Sequence, residues 1–213
     1  MNLNVINYFD NLAHNWDEKY ETSKYFINRR QELKGLIDKY CKDNFLALDY
    51  GCGSGTNTNM LIGICSEVII TDLSKNMLEL AKRKFKNEKK IKVLNQNQLE
   101  VNRVNLILCS SVIEYAEDEY LFLNNLKSLL NDDGIIIITF PNRFGLLQIL
   151  NRYVLSLFKQ NYTSFQRKTY TVSEIKQMVR KLDLKVLQIY KEIRLSVFLP
   201  STFGELIFCV IKK

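Results

Sequence analysis

From residue 45 onward, short apolar runs alternate with longer stretches whose apolar residues recur at helical spacing. Leu46-Ala47-Leu48-Asp49-Tyr50 reads as a buried strand over 46–50, followed by a helix over 56–65. Strand 67–72 leads to helix 74–86, strand 91–95 to a short linking segment, and strand 104–109 to helix 118–130. Asn131-Asp132-Asp133-Gly134 is expected to turn, and Ile135 to Phe140 is the most apolar strand. Two further strands, 184–193 and 205–211, are separated by Pro200 and Gly204 with no helix between them, which predicts an antiparallel pair at the sheet's edge. The alternation predicts an α/β fold: a doubly wound, mostly parallel sheet of seven strands with helices on both faces.

Residues 7–44 carry helical periodicity instead and predict a helical cover. One helix holds Tyr8 to Asp17 with Trp16 as its heaviest anchor. A second runs from about Tyr25 to Tyr40, with Phe26, Leu33, Leu36, Ile37 and Tyr40 on its apolar face. The polar stretch Glu18 to Lys24 between them is expected to be a mobile connection. Beyond Pro141-Asn142, residues 144–158 predict a helix apolar on most faces, then a polar loop from Lys159 to Lys168. Thr171 or Ser173 is the candidate N-cap of a late helix. Helix 144–158 has two readings: a lid over the site, or a peripheral-membrane or lipid-substrate surface helped by Arg143, Arg152 and Lys159.

Length and composition narrow this further. The 213 residues, 46% hydrophobic and 25% charged, suit one domain over 1–213, divided as a cap (1–44), a central half (45–142) and a lid with terminal strands (143–213). No run approaches a membrane-spanning length, and Met1 to Asn7 lacks secretory-signal features, so a cytoplasmic location is expected. Five scattered cysteines without a CxxC pair argue against a disulfide framework and against a zinc site, and no metal is expected. The net charge of +7 admits an anionic substrate, a membrane surface or nucleic acid. Its densest cluster, Lys82 to Lys92, reads as a solvated helix end and loop.

The candidate chemistry sits in Asp49-Tyr50-Gly51-Cys52-Gly53-Ser54-Gly55, a strand-to-helix turn with glycines at alternate positions. Such a turn brings backbone N–H groups and a helix N-terminus to one crevice. Thr56-Asn57 follows where a nucleoside-triphosphate loop needs lysine and Ser or Thr. Asp72 ends the next strand about 20 residues past the first glycine, where an acid takes ribose hydroxyls. Asp49 ahead of the glycines repels pyrophosphate and suits a ligand with an ammonium and a sulfonium. S-adenosylmethionine is such a ligand.

Leu48 to Gly55 resembles the first motif of class I S-adenosylmethionine-dependent methyltransferases, and Ile70-Thr71-Asp72-Leu73-Ser74 their second. Leu106 to Tyr115 resembles their strand-four segment, Leu126 to Pro141 the stretch after it, and Thr171 to Val186 their late helix and strand. Phe9 to Asp17 is similar to the small-molecule branch that includes quinone-biosynthesis and magnesium-protoporphyrin methyltransferases. The resemblance implies a Rossmann-like fold and cofactor contacts from Asp49, Gly51, Cys52, Gly53, Gly55, Asp72, Leu73, Asn97 and Ser110. Asp49 would orient the amino group, Asp72 take the ribose, Leu73 and Asn97 meet adenine, and Ser110 lie beside the methyl group. Glu114-Tyr115 stands where many relatives have Glu-His, and Lys181-Leu182-Asp183-Leu184 where they have Gly-Phe. His14 and Tyr115 are then the candidate catalytic residues, with Tyr20 weaker and Glu114 read as an orienting or capping acid. The activity implied is methyl transfer to a small acceptor, an O- or N-nucleophile, anionic or hydrophobic. The alternatives are a non-catalytic S-adenosylmethionine-binding partner or sensor, then a nucleic-acid methyltransferase.

Overall fold

The computed structural model describes residues 3–95, 98–99, 103–145, 168–191 and 204–213. Its strands are β1 (Leu46–Tyr50), β2 (Glu67–Thr71), β3 (Ile91–Val93), β4 (Val104–Cys109), β5 (Leu130–Pro141), β6 (Lys185–Lys191) and β7 (Leu206–Lys212). They form one seven-stranded sheet in the order β3-β2-β1-β4-β5-β7-β6. Strands β1 to β5 pair in parallel, whereas β7 runs antiparallel to both β5 and β6. The order reverses between β1 and β4, so a crevice opens beyond the carboxyl ends of those strands.

Successive strand residues serve opposite faces, and both faces are covered. Ala47, Val68, Ile70, Leu106 and Leu108 pack with Leu33, Leu36 and Ile37 of α3 (Lys24–Tyr40). Leu61 of α4 (Thr58–Ile62) and Leu78 and Ala81 of α5 (Lys75–Lys84) complete that layer. On the other face Leu48, Ile69, Ile107, Cys109, Ile136 and Ile138 meet Leu123 and Leu126 of α6 (Glu119–Leu129). Ile175, Met178 and Val179 of α7 (Val172–Lys181) extend the same core. Two covered faces explain why the strands read as near-continuous apolar runs. Thr171, not Ser173, caps α7, in a reciprocal capping box with Glu174.

The N-terminal segment forms α1 (Leu3–Leu12), a 3-10 turn (Ala13–Asn15) and α2 (Trp16–Thr22). The expected connection over Glu18 to Lys24 is corrected: α2 is helical to Thr22, and only Ser23 breaks the chain before α3. The Thr22 hydroxyl donates to the Glu18 carbonyl one turn back, at 2.8 Å, and polar residues on an exposed helix face carry no loop signal.

The turn expected at Asn131 to Gly134 is also corrected, because these residues lie within the span of β5. The pairing steps from Val104–Leu130 to Leu106–Ile135, so the extra residues bulge out of the β4 side. On the other side the Lys213 N–H donates to the Gly134 carbonyl at 3.1 Å, continuing the β7 pairing. Among the described residues no helix is long and apolar enough to cross a membrane. Asn97, the Tyr20 side chain and the helix expected over 144–158 from residue 146 onward lie outside the described residues.

Candidate active site

The glycine turn lies at the switch point between β1 and β4. Gly51, Gly53 and Gly55 hold φ values of +75°, +56° and +82°, in the left-handed region that side chains disfavour. The turn is sewn to the end of β2: the N–H groups of Gly51 and Cys52 donate to the Thr71 carbonyl at 2.9 and 3.0 Å. At Gly55 space is lacking as well, since an added Cβ would lie 2.4 Å from the Phe85 ring.

Asp72 follows β2 and closes the turn. One carboxylate oxygen accepts the Gly53 N–H at 2.8 Å and the other the Ser74 N–H at 2.8 Å. Burial raises its pKa, and the two backbone bonds oppose that shift. Asp49 behaves differently. It is 2% exposed, and its carboxylate accepts the Thr58 hydroxyl at 2.7 Å, tying β1 to the first turn of α4. Burial pushes it up to about 7, against the Thr58 bond and with some help from the Asp72 charge.

The helical cover is anchored on this loop by two aspartates. Asp10 accepts the Ser74 hydroxyl at 2.5 Å and the Asn76 N–H at 3.0 Å, which docks α1 on the start of α5. Asp17 accepts the Ser54 hydroxyl and pairs with Lys84 at 3.0 Å. Between these ties, Trp16 comes within 3.7 Å of the position a Gly53 Cβ would take. Phe9 meets Trp16 and Tyr115 edge-on, with centroids 5.8 and 5.4 Å apart, and Trp16 meets Phe26 at 6.4 Å. The cap thus roofs the crevice with aromatic rings.

A cavity of about 480 Å³ lies beneath that roof. Its described wall includes Gly51, Cys52, Gly53, Asn57, Asp72, Leu73, Met77, Ser110 and Tyr115, together with Tyr8, Phe9, Trp16 and Phe26. The charged side chains in the described wall are Asp72, Glu114, Glu117, Asp118 and Glu205 against Arg29. An acidic cavity in a chain of net charge +7 is a local arrangement, not a reflection of composition.

Arg29 is 5% exposed, lies over the Phe26 ring at 5.1 Å, and donates to the Ser111 hydroxyl at 2.9 Å. Ser111 holds φ +59° and its N–H donates to the Thr139 hydroxyl at 2.8 Å. A non-glycine residue held there marks stored local strain beside the cavity. Glu114 sits in the 3-10 turn Ile113–Tyr115, 7% exposed, with no hydrogen-bond partner on Oε2. Burial pushes its pKa up to about 7, opposed by the Arg29 charge and a bond from Ser111.

The structure therefore brings Gly51, Cys52, Gly53, Asp72, Leu73, Ser110 and Tyr115 together on one wall. It separates three other expected residues from that wall. His14 is exposed on the 3-10 turn and lies outside the cavity wall, because the turn directs Trp16 inward instead. Asp49 is likewise absent from the wall, its carboxylate committed to Thr58. Gly55 lies behind the loop against Phe85. Arg29, Ser111 and Asn57 line the cavity but were not among the site residues expected from the sequence. Arg29 left a signal: it falls on the apolar stripe of α3, three residues after Phe26 and four before Leu33. Ser111 left none, because its backbone strain is imposed by the tertiary fold.

The residues present fit S-adenosylmethionine. Asp72 presents carboxylate oxygens for a ribose diol, and Ser110 Oγ and Asn57 Oδ1 are buried polar atoms without a protein partner. The acid-rich wall suits a ligand carrying a sulfonium and an ammonium. Comparison with known proteins agrees. Residues 48–138 match the family model described as "Methyltransferase domain". The ubiquinone biosynthesis O-methyltransferase of Rickettsia felis is 26% identical over 209 residues, covering 91% of this chain and 83% of that protein. A further relative, an uncharacterised protein of Methanocaldococcus jannaschii, is 25% identical over 81% of this chain. The chain spans 66% of that relative's length.

Two solved structures, both with bound S-adenosylhomocysteine, share the fold. The N-methyltransferase NodS of Bradyrhizobium japonicum has a TM-score of 0.74 at 13% identity, covering 99% of this chain and 98% of its own. Magnesium protoporphyrin IX methyltransferase of Synechocystis has a TM-score of 0.74 at 15% identity, covering 98% of each chain. The sheet order, with its antiparallel last pair and crevice at the switch point, is that of the Rossmann-like methyltransferase fold. Over residues 48–138 the chain is thus similar to a methyltransferase domain, and over most of its length to the two S-adenosylhomocysteine-bound structures in fold.

Proposed function

We propose that the chain transfers a methyl group from S-adenosylmethionine to a small-molecule O- or N-nucleophile bound under the aromatic roof. The acidic cavity joined to the glycine turn carries this reading. It favours a cationic, phosphate-free ligand against the overall positive charge of the chain. S-adenosylmethionine supplies an electrophilic methyl on a good leaving group, so the protein's share is in-line positioning and exclusion of water. Gly51 and Gly53 let the ligand approach the backbone, Asp72 holds the ribose, and Leu73 and Met77 offer apolar surface to the adenine. Ser110 lines the mouth of β4, beside the reacting centre.

The acceptor enters beneath Phe9, Trp16, Phe26 and Tyr115, in a volume sized for a small molecule rather than a duplex or protein segment. Proton removal from a protonated nucleophile falls to Tyr115 or to Glu114, since His14 points elsewhere. Calorimetry with S-adenosylmethionine and S-adenosylhomocysteine tests the cofactor half, with micromolar-range binding expected. Undetectable binding of both would overturn the assignment. Release of S-adenosylhomocysteine across a panel of phenols, carboxylates and amines tests the acceptor half. Binding without turnover on any of them would favour a cofactor-binding sensor instead.

A further inference from the structure

The amino ends of the strands, opposite the cavity, hold a feature that methyl transfer does not use. Cys41 caps the C-terminus of α3 just before β1, its N–H bonded to the Ile37 carbonyl at 2.8 Å. Cys65 follows α4 just before β2, its N–H bonded to the Leu61 carbonyl at 2.8 Å. The two backbone anchors bring the sulfurs to 2.9 Å, inside van der Waals contact and within about 1 Å of bonding distance. Both are free thiols. Cys41 is partly accessible, whereas Cys65 is 0% exposed.

We infer that Cys41 and Cys65 are a covalent modification site, closing to an intramolecular disulfide when the protein meets a small-molecule disulfide. The accessible Cys41 attacks first. Its thiolate displaces one thiolate from oxidised glutathione, leaving glutathione joined to Cys41. Cys65 then loses its proton and attacks Cys41 Sγ, expelling the second glutathione. Two protein thiols are oxidised, one glutathione disulfide is reduced, and the two protons end on the two released glutathione thiols.

The surroundings favour that order. The bond from the Cys65 thiol lowers the pKa of Cys41 and outweighs burial and the nearby Asp38 charge. The same bond, with burial, raises Cys65, and the Lys90 charge opposes this. Lys90 is fixed beside the pair, donating to the Cys65 carbonyl at 3.1 Å and the Ile62 carbonyl at 3.0 Å. The remaining cysteines, Cys52, Cys109 and Cys209, are buried, and burial pushes all three thiols up, so they compete poorly. The disulfide would close a segment with a sequence separation of 24 and pin the end of α3 to the end of α4.

The test treats the full chain with oxidised glutathione under native conditions, then maps peptides and counts thiols. A Cys41–Cys65 linkage is expected, with two thiols lost and a Tm rise of roughly 5–10 °C that dithiothreitol reverses. Cys65→Ser should instead retain glutathione on Cys41, and Cys41→Ser should resist oxidation. Three results in the wild type would overturn the inference: persistent glutathione on Cys41, linkage to another cysteine, or no thiol loss in folded protein. None depends on cofactor binding, so the result stands apart from the methyl-transfer reading.

Discussion

Replacing Asp72 by asparagine keeps the shape at the end of β2 and removes the charge. In the wild type the carboxylate accepts two backbone N–H groups, from Gly53 and Ser74, each at 2.8 Å. An asparagine oxygen can keep one of these bonds, while its amide nitrogen faces the other donor. Hydrogen bonds to a charged group are worth roughly 1.5–3 kcal/mol each. Against that loss stands relief from burying a carboxylate whose pKa burial already raises. The two effects largely offset in the free protein, so its stability should fall by only about 1 kcal/mol.

Ligand binding has no such offset. A ribose hydroxyl bonded to the carboxylate loses a charged acceptor, worth about 1–3 kcal/mol, or roughly 5- to 150-fold in Kd. S-adenosylhomocysteine is the better probe because it lacks the sulfonium and isolates the ribose contact. Calorimetry gives the affinity, and urea unfolding of the free protein gives the stability. A variant that folds normally and binds within about threefold of the wild type would refute the ribose assignment.

Three further outcomes follow from the same geometry. Gly55→Ala puts a Cβ 2.4 Å from the Phe85 ring at φ +82°, so it should destabilise by roughly 2 kcal/mol or more in urea unfolding. A loss under about 0.5 kcal/mol would show that Phe85 yields freely. Asp49 and Glu114 sit at about 7 in the folded chain, against ordinary values of 3.8 and 4.5, so the folded state binds their protons more tightly. Stability should therefore fall as pH rises from about 4 to about 7 and level off above, by up to roughly 3–4 kcal/mol per group. Asp49→Asn, which keeps an acceptor for Thr58, should flatten that slope; an unchanged slope in pH-dependent unfolding would contradict it. Trp16, the sole tryptophan, forms part of the roof over Gly53, so its fluorescence should change saturably with added S-adenosylhomocysteine. A flat titration at ligand levels that saturate calorimetry would place the ligand away from the roof.

Much of the fold is legible along the chain because burial on both sheet faces writes apolar runs, and helices write their own period. The strands over 46–50 and 104–109 and the terminal antiparallel pair emerge this way. The bulge at Asn131 to Gly134 does not, since its polar, glycine-ended sequence has the local signature of a turn. Strands distant in sequence keep it within the sheet, through the Val104–Leu130 pairing with β4 before it and the β7 side after it. Helix α2 fails for a similar reason: an exposed polar helix has no apolar stripe to declare it.

The site divides along the same line. Its glycines and Asp72 are visible because left-handed backbone and a strand-end acid leave local residue choices. Asp49 is visible by residue type, whereas its bond to the Thr58 hydroxyl on the next helix and its place outside the cavity wall are tertiary facts. His14 and Trp16 are two residues apart, yet the 3-10 turn exposes one and places the other in the roof. By itself the sequence determined most of the strands and the glycine turn, because those depend on local conformation and periodic burial. Tertiary structure alone decided which side chains line the cavity together: Arg29 of α3 reaches Ser111, 82 residues away and three before Glu114, only because chain-distant packing lays the helix against the end of β4.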